Sequence, residues 1–275
     1  IKKSLNWLTV KLIFKIIIFN LILTNYLLAV NFEGKFEQGA FILGKTEPNS
    51  KVKIDNKNVK VTDDGYFAFG LGRDRKTDLL IEILKDEKLE IIQKKVLKRV
   101  YKIQRIDGLE KKHVTPPPEV YERIKKDNKL ISKARSLNSS NNFFKEKFIY
   151  PIDKYIITGV YGSQRILNGE PRRPHYGVDF HAPEGTPVKA MMDGTVILSE
   201  NDMYFTGGTI IFDHGHGIST LYMHMKSIDV KLGQKVKKGE IVGELGKSGR
   251  ATGPHLDIRL NWFDIKLDPM SILKK

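Results

Sequence analysis

The chain has 275 residues, 40% of them hydrophobic, enough apolar material for a packed core and too much for a disordered protein. Its 47 lysines and arginines outnumber 32 aspartates and glutamates, a formal charge of +15 that suits an anionic partner; the basic residues are scattered and no nucleic-acid-binding motif accompanies them, so nucleic acid is not expected. Cysteine is absent, which excludes disulfides, thiol catalysis and thiolate metal sites.

In chain order, residues 1–29 open with Lys2, Lys3, Lys11 and Lys15 and run into the apolar stretches Ile16–Leu23 and Tyr26–Ala29. A basic segment ahead of a short apolar run has the form of a secretory signal peptide. Asn20 and Asn25 interrupt it, and it is short for a membrane span of ~20 residues. Cleavage near Ala29 is the expected outcome, with an uncleaved inner-membrane anchor as the alternative. Either reading exports the remainder to the periplasm or cell envelope, and membrane contact is expected only through this segment.

Residues 30–105 read as short strands. Val52, Ile54, Val59 and Val61 alternate with polar residues, Asp55-Asn56-Lys57-Asn58 supplies turn chemistry between them, and Asp63-Asp64-Gly65 leads into Tyr66–Phe69. Leu79–Leu84 is a further strand. A small β-sandwich without a catalytic set is expected, separable from the chemistry that follows. Residues 106–145 form a connector. Pro116-Pro117-Pro118 stops regular structure and can start a helix, and Val120, Ile124, Ile131 and Ala134 recur at helical spacing, predicting an amphipathic helix over 119–137. Asn138–Asn142 reads as a linker, and His113 as structural or solvated. From 146 to 275 glycine is frequent and short apolar runs alternate with turns, as in 194–198, 209–212 and 219–222, so this half is expected to be all β.

Six of the seven histidines fall in this half. His175 and Asp179 stand four apart, and in an extended segment they share one face. In His255-Leu256-Asp257 the period of two puts His255 and Asp257 on one face and Leu256 on the other, toward a core. Imidazole and carboxylate are ordinary zinc ligands. His224 ends Leu221-Tyr222-Met223-His224, where strict alternation sets Tyr222 and His224 on one face and Leu221 and Met223 on the other. His181 follows Asp179 by two and is a candidate support for it. His214 and His216 sit in a Gly-rich turn and read as structural or solvated. Gln164-Arg165 and Arg172-Arg173 precede the His175 motif and are candidates to line a groove and meet carboxylates.

Together, Arg173-Pro174-His175-Tyr176-Gly177-Val178-Asp179, Asp213-His214-Gly215-His216-Gly217, Leu221-Tyr222-Met223-His224 and Gly249-Arg250-Ala251-Thr252-Gly253-Pro254-His255 resemble, in order and spacing, the LytM/lysostaphin-type zinc metallopeptidases. The resemblance covers roughly residues 146–270. It implies a mainly β protein whose C-terminal domain is a twisted antiparallel sheet with an open groove. It also implies one zinc ion held by His175, Asp179 and Asp257, with His224 and His255 catalytic. The implied reaction is metal-assisted hydrolysis of peptide cross-links in bacterial peptidoglycan, with peptidoglycan and cell-wall or division proteins as partners. The alternative is a non-catalytic regulator of the same type that activates a cell-wall amidase. One position departs from the pattern: the last ligand, usually histidine in H-x-H, is Asp257. Two carboxylates would then cancel the charge of a divalent ion, and water held there would be less acidic.

Overall fold

The computed structural model describes residues 30–108 and 115–273. The expected signal segment and His113 lie outside the described residues. No helix among the described residues is long and apolar enough to cross a membrane.

Eight short strands occupy the first part: β1 (Asn31–Glu33), β2 (Phe41–Lys45), β3 (Lys51–Ile54), β4 (Lys57–Val59), β5 (Tyr66–Gly70), β6 (Leu79–Lys85), β7 (Lys88–Lys94) and β8 (Ile103–Ile106). The first seven form a three-stranded sheet, β1-β2-β5, and a four-stranded sheet, β4-β3-β6-β7. Ile42, Phe67 and Phe69 from the first and Val52, Ile54, Ile81 and Ile83 from the second are buried in one core. The β3–β4 turn is the two-residue kind: Ile54 pairs with Lys57, while Asp55 and Asn56 take φ of 48° and 63°. Asn and Asp tolerate that left-handed backbone, whose twist matches a hairpin.

The helix α1 (Tyr121–Arg135) follows a 3₁₀ turn over Pro118–Val120, inside the expected 119–137. Leu130, Ile131 and Ala134 pack onto Leu198, Met203, Ile211 and Leu221. Asn138–Asn142 is bound down instead of loose. Ser139 Oγ and Asn141 Nδ2 donate to Asp213 Oδ2 at 2.6 and 2.9 Å, and the His216 amide donates to the Ser139 carbonyl.

The remaining strands are β9 (Ile156–Gly159), β10 (Gln164–Leu167), β11 (Glu170–Pro171), β12 (Val178–His181), β13 (Pro187–Lys189), β14 (Gly194–Met203), β15 (Gly207–Gly215), β16 (Ile218–Ile228), β17 (Lys235–Val236), β18 (Ile241–Leu245), β19 (Leu256–Trp262) and β20 (Ile265–Leu267). Ten of them build one antiparallel sheet whose spine runs β17-β14-β15-β16-β19-β12-β9. Ile210, Phe212, Tyr222, Ile258 and Leu260 face the main core, and Ile211 and Leu221 face α1. The architecture is mainly β, as expected.

The expectation of a separable N-terminal segment meets a physical obstacle. β8 pairs in parallel with β10, completing the sheet β11-β10-β8. Phe69 meets Trp262 edge to face at 6.4 Å, and a Cβ on Gly70 would fall 2.4 Å from Leu267 Cδ2. Arg99 Nη1 also donates to Asp268 Oδ2 at 2.8 Å. One contiguous core runs through both parts, so cutting the chain between them exposes apolar surface on each side.

Candidate metal centre

Strand register explains why the carboxylates converge. Asp179 on β12 and Asp257 on β19 are direct antiparallel partners, and cross-strand partners share a face. His175 lies on the extended approach to β12, four residues before Asp179. Its Nε2 stands 3.1 Å from Asp179 Oδ1 and 3.4 Å from Asp257 Oδ2. One ligating atom from each residue lies within 4.8 Å of the others. The three residues are only 1%, 7% and 3% exposed.

Two glycines make room for this cluster. A Cβ on Gly159 would fall 2.1 Å from Asp179 Oδ2, and one on Gly177 2.1 Å from Asp257 Oδ1. Any side chain at either position would displace a carboxylate.

The buried polar atoms test whether a metal fits. Both ring nitrogens of His175 and Oδ1 of Asp179 are buried without an aligned hydrogen-bond partner. Orphaned buried acceptors cost free energy unless something pairs with them, and a divalent cation among one imidazole and two carboxylates would do so. Without metal, burial disfavours a charged His175, but the Asp257 and Asp179 carboxylates outweigh it and raise its pKa.

Each carboxylate also has an arginine. Arg165 Nη2 donates to Asp179 Oδ2 at 3.2 Å, and Arg259 Nη2 to Asp257 Oδ2 at 2.9 Å. Burial pushes the Asp257 carboxyl up, yet Arg259 and His175 beside it hold it well below the usual carboxylate range. This corrects the charge expected from the ligands alone: the two carboxylates do not leave a neutral centre, because two guanidinium groups stand immediately behind them. Arg165 does reach the site, but by pairing with Asp179. The sequence reading missed Arg259, although its i+2 spacing from Asp257 puts both on one face of β19. Nothing in the sequence pointed to Gly159 or Gly177 as clearance for the carboxylates.

His224 reaches the site against strict alternation. Met223 pairs with Asp257 and Tyr222 with Ile258, so alternation alone would turn His224 away from Asp257. The β15–β16 register shifts here, and His224 takes φ of 65°. Such a bulge re-aims a side chain. Its ring then lies 4.7 Å from that of His255, at an interplanar angle of 50°. His224 Nδ1 is 2.8 Å from the Ser248 carbonyl, and His255 Nδ1 is 2.9 Å from the Gly253 carbonyl. A carbonyl only accepts, so each Nδ1 carries a proton, which leaves Nε2 as the free ring position of both histidines. Burial first, then the neighbouring His255, holds the His224 pKa down to about 4 against the pull of Asp257. Its imidazole is therefore uncharged at neutral pH.

The other histidines have different work. His181 is exposed, and its Nδ1 bonds the Pro254 carbonyl at 2.7 Å, steadying the backbone before His255. His214 is fully inside the fold, bonded to the Asp193 carbonyl and Thr220 Oγ1 at 2.8 Å each, and burial lowers its pKa to about 4. His216 is buried against Phe144 at 4.7 Å. Both are structural, and neither is solvated.

Residues 173–269 match Peptidase family M23. The chain is 41% identical over 113 residues to the peptidoglycan DD-endopeptidase ShyA of Vibrio cholerae, covering 40% of this chain and 26% of that protein. It is 35% identical over 100 residues to the DD-carboxypeptidase/endopeptidase Mpg of Neisseria meningitidis, covering 36% of this chain and 23% of that one. It thus spans about a quarter of the length of these curated relatives. A crystal structure assigned to peptidase M23 from Pseudomonas aeruginosa superposes with a TM-score of 0.65 at 26% identity, over 89% of this chain and 93% of that one.

Proposed function

We propose that this chain, which carries an M23 peptidase domain, is an exported metal-dependent endopeptidase that hydrolyses peptide cross-links of bacterial peptidoglycan. The observation that carries the reading is the convergence of His175, Asp179 and Asp257 on one point beside the paired rings of His224 and His255. The donor set of one nitrogen and two oxygens suits zinc, and we assign one ion per chain. Bound there, the ion supplies Lewis acidity toward the scissile carbonyl.

The chain's own residues supply the rest. Neutral His224 offers Nε2 as acceptor for the proton of the attacking water. His255, with Nδ1 tied to a carbonyl and its ring 4.7 Å from that of His224, is assigned the second proton role: its protonated form donates to the developing oxyanion or the leaving amine. Arg165 and Arg259 hold the two carboxylates in position. A full set of donors and proton carriers gives a non-catalytic amidase regulator no support.

The test is digestion of purified peptidoglycan by the metal-loaded chain, with and without chelator, followed by chromatography of the released muropeptides. Chelator-sensitive loss of cross-linked species is expected. An unchanged profile from a fully metallated protein would overturn the reading.

A further inference from the structure

The bulge that turns His224 inward is held from outside the strand ladder. Two residues of β16, Met223 and His224, stand against Thr209 alone, between the Tyr222–Ile210 and Met225–Gly208 pairs. The extra residue takes the His224 amide out of the ladder. It donates instead to the Thr206 carbonyl at 2.8 Å. Thr206 belongs to the tip, residues 204–206, that joins β14 to β15. The His224 ring is held from the same quarter. Its Nδ1 donates to the Ser248 carbonyl, and Ser248 Oγ accepts the Gly208 amide at 2.9 Å. A Cβ on Gly207 would fall 2.1 Å from that oxygen, so the tip and Ser248 meet without slack.

The tip is anchored in turn by α1. Asp127 Oδ2 accepts the Tyr204 amide at 2.8 Å. Arg123 Nη2 donates to the Asp202 carbonyl at 2.7 Å, and its guanidinium lies 5.8 Å from the centre of the Tyr204 ring. Asp127 stands three, four and seven residues before Leu130, Ile131 and Ala134, so it extends the face of α1 that packs on the sheet. The Arg123 and Asp202 side chains are 44% and 84% exposed, and water screens such a pair. Asp127 is half-buried, and its bond to a backbone amide is charge-assisted. A mid-helix aspartate does little for the helix itself. We infer that Asp127 is a positioning residue for His224. Through the Tyr204 amide it fixes the tip whose Thr206 carbonyl keeps His224 in its left-handed bulge, beside His255. The connector helix thereby belongs to the hydrolytic apparatus. The effect on turnover rests on the endopeptidase reading; the hold on His224 does not.

The experiment compares the full metal-loaded chain with Asp127→Ala, which removes the acceptor, and Asp127→Asn, which keeps an oxygen for the Tyr204 amide. In Asp127→Ala, kcat on a soluble cross-linked muropeptide should fall about three- to tenfold, the size expected for loss of one hydrogen bond, with KM and metal content unchanged. Asp127→Asn should recover most of that loss. Amide hydrogen exchange supplies a readout free of turnover. The His224 amide should exchange about three- to tenfold faster in Asp127→Ala and near the wild-type rate in Asp127→Asn, while the amides of Phe212 and Leu260 in the sheet core keep their wild-type rates. Equal acceleration of all three amides would mark a loss of general stability and overturn the inference. So would an unchanged kcat, or unchanged His224 exchange, in Asp127→Ala; each of these leaves the endopeptidase reading standing. If the wild type cuts no muropeptide, the endopeptidase reading fails, and exchange at His224 alone decides whether Asp127 holds the bulge.

Discussion

Replacing Arg259 by methionine should damage the metal-free protein more than the metal-loaded one. Asp257 is 3% exposed and the Arg259 side chain 29%, with Nη2 2.9 Å from Oδ2. Removing one partner of a fully buried pair costs about 3–5 kcal/mol, and an exposed pair is worth about 0.2–1 kcal/mol. Partial exposure of Arg259 places the cost between these, at ~1–3 kcal/mol. At ~2–4 °C per kcal/mol for a chain of this size, the metal-free Tm should fall by roughly 2 to 12 °C. A bound cation changes the balance, because it neutralises Asp257 in place of the arginine and is itself repelled by that arginine. The metal-induced gain in Tm should therefore be larger in Arg259→Met than in wild type. The sign with pH follows from the depressed Asp257 pKa. Its stabilisation is present above the unfolded carboxyl pKa of ~3.9 and is lost as pH falls through the lower folded value. Without Arg259 the folded value climbs, so acid loss of metal-free stability should begin at higher pH. The assay is thermal unfolding of chelator-treated and metal-saturated protein across pH. Equal Tm losses in the two forms, or a larger loss in the loaded one, would refute the reasoning.

Three further outcomes are expected. His224→Ala and His255→Ala should each lower kcat about 10²–10⁴-fold while metal content stays near one per chain, since neither belongs to the converging donor set; elemental analysis alongside muropeptide release checks this. Metal affinity should weaken about tenfold per pH unit below the raised His175 pKa, because a proton on the metal-free imidazole competes with the ion; titration at stepped pH should show it, together with proton release on binding. Deleting residues 30–105 should cost solubility and a cooperative melt, because Phe69 and Gly70 pack on Trp262 and Leu267; a truncated chain that melts as sharply as the intact one would contradict the shared core.

Much of the site was legible because strand periodicity is rigid. His255 and Asp257 had to share a face once Leu256 was assigned to the core, and Leu256 is fully buried. His224 broke the same rule. Its motif assigned it to the site while alternation assigned it to the far face, and only the bulge between Ile210–Tyr222 and Gly208–Met225 reconciles the two. A bulge depends on pairing with another strand, so Leu221–His224 could not reveal it locally. The helix was read nearly to its ends because its apolar spacing and preceding prolines are local signals. The joint between the two parts was not, because the Gly70–Leu267 and β8–β10 contacts link residues far apart in sequence.

The substitution at the third ligand position shows why charge must be counted beyond the ligands. Read alone, Asp257 adds a second carboxylate and lowers the net charge of the centre. In the fold, the same strand returns a cation two residues later, and Arg259 holds the carboxylate at 2.9 Å. Asp179 has the same relation to Arg165 at 3.2 Å, although that arginine comes from another sheet, the one β8 completes. Both acids therefore have their charge largely met before any metal arrives. Each carboxylate also needs the clearance of a glycine, Gly177 for Asp257 and Gly159 for Asp179. A lone Asp257→His change would remove the carboxylate that Arg259 pairs with and leave that guanidinium facing an imidazole and a cation. Restoring histidine at this position is thus not a return to a neutral ligand alone. It requires the arginine to change with it, and the sequence unit to consider is Asp257-Ile258-Arg259, not Asp257.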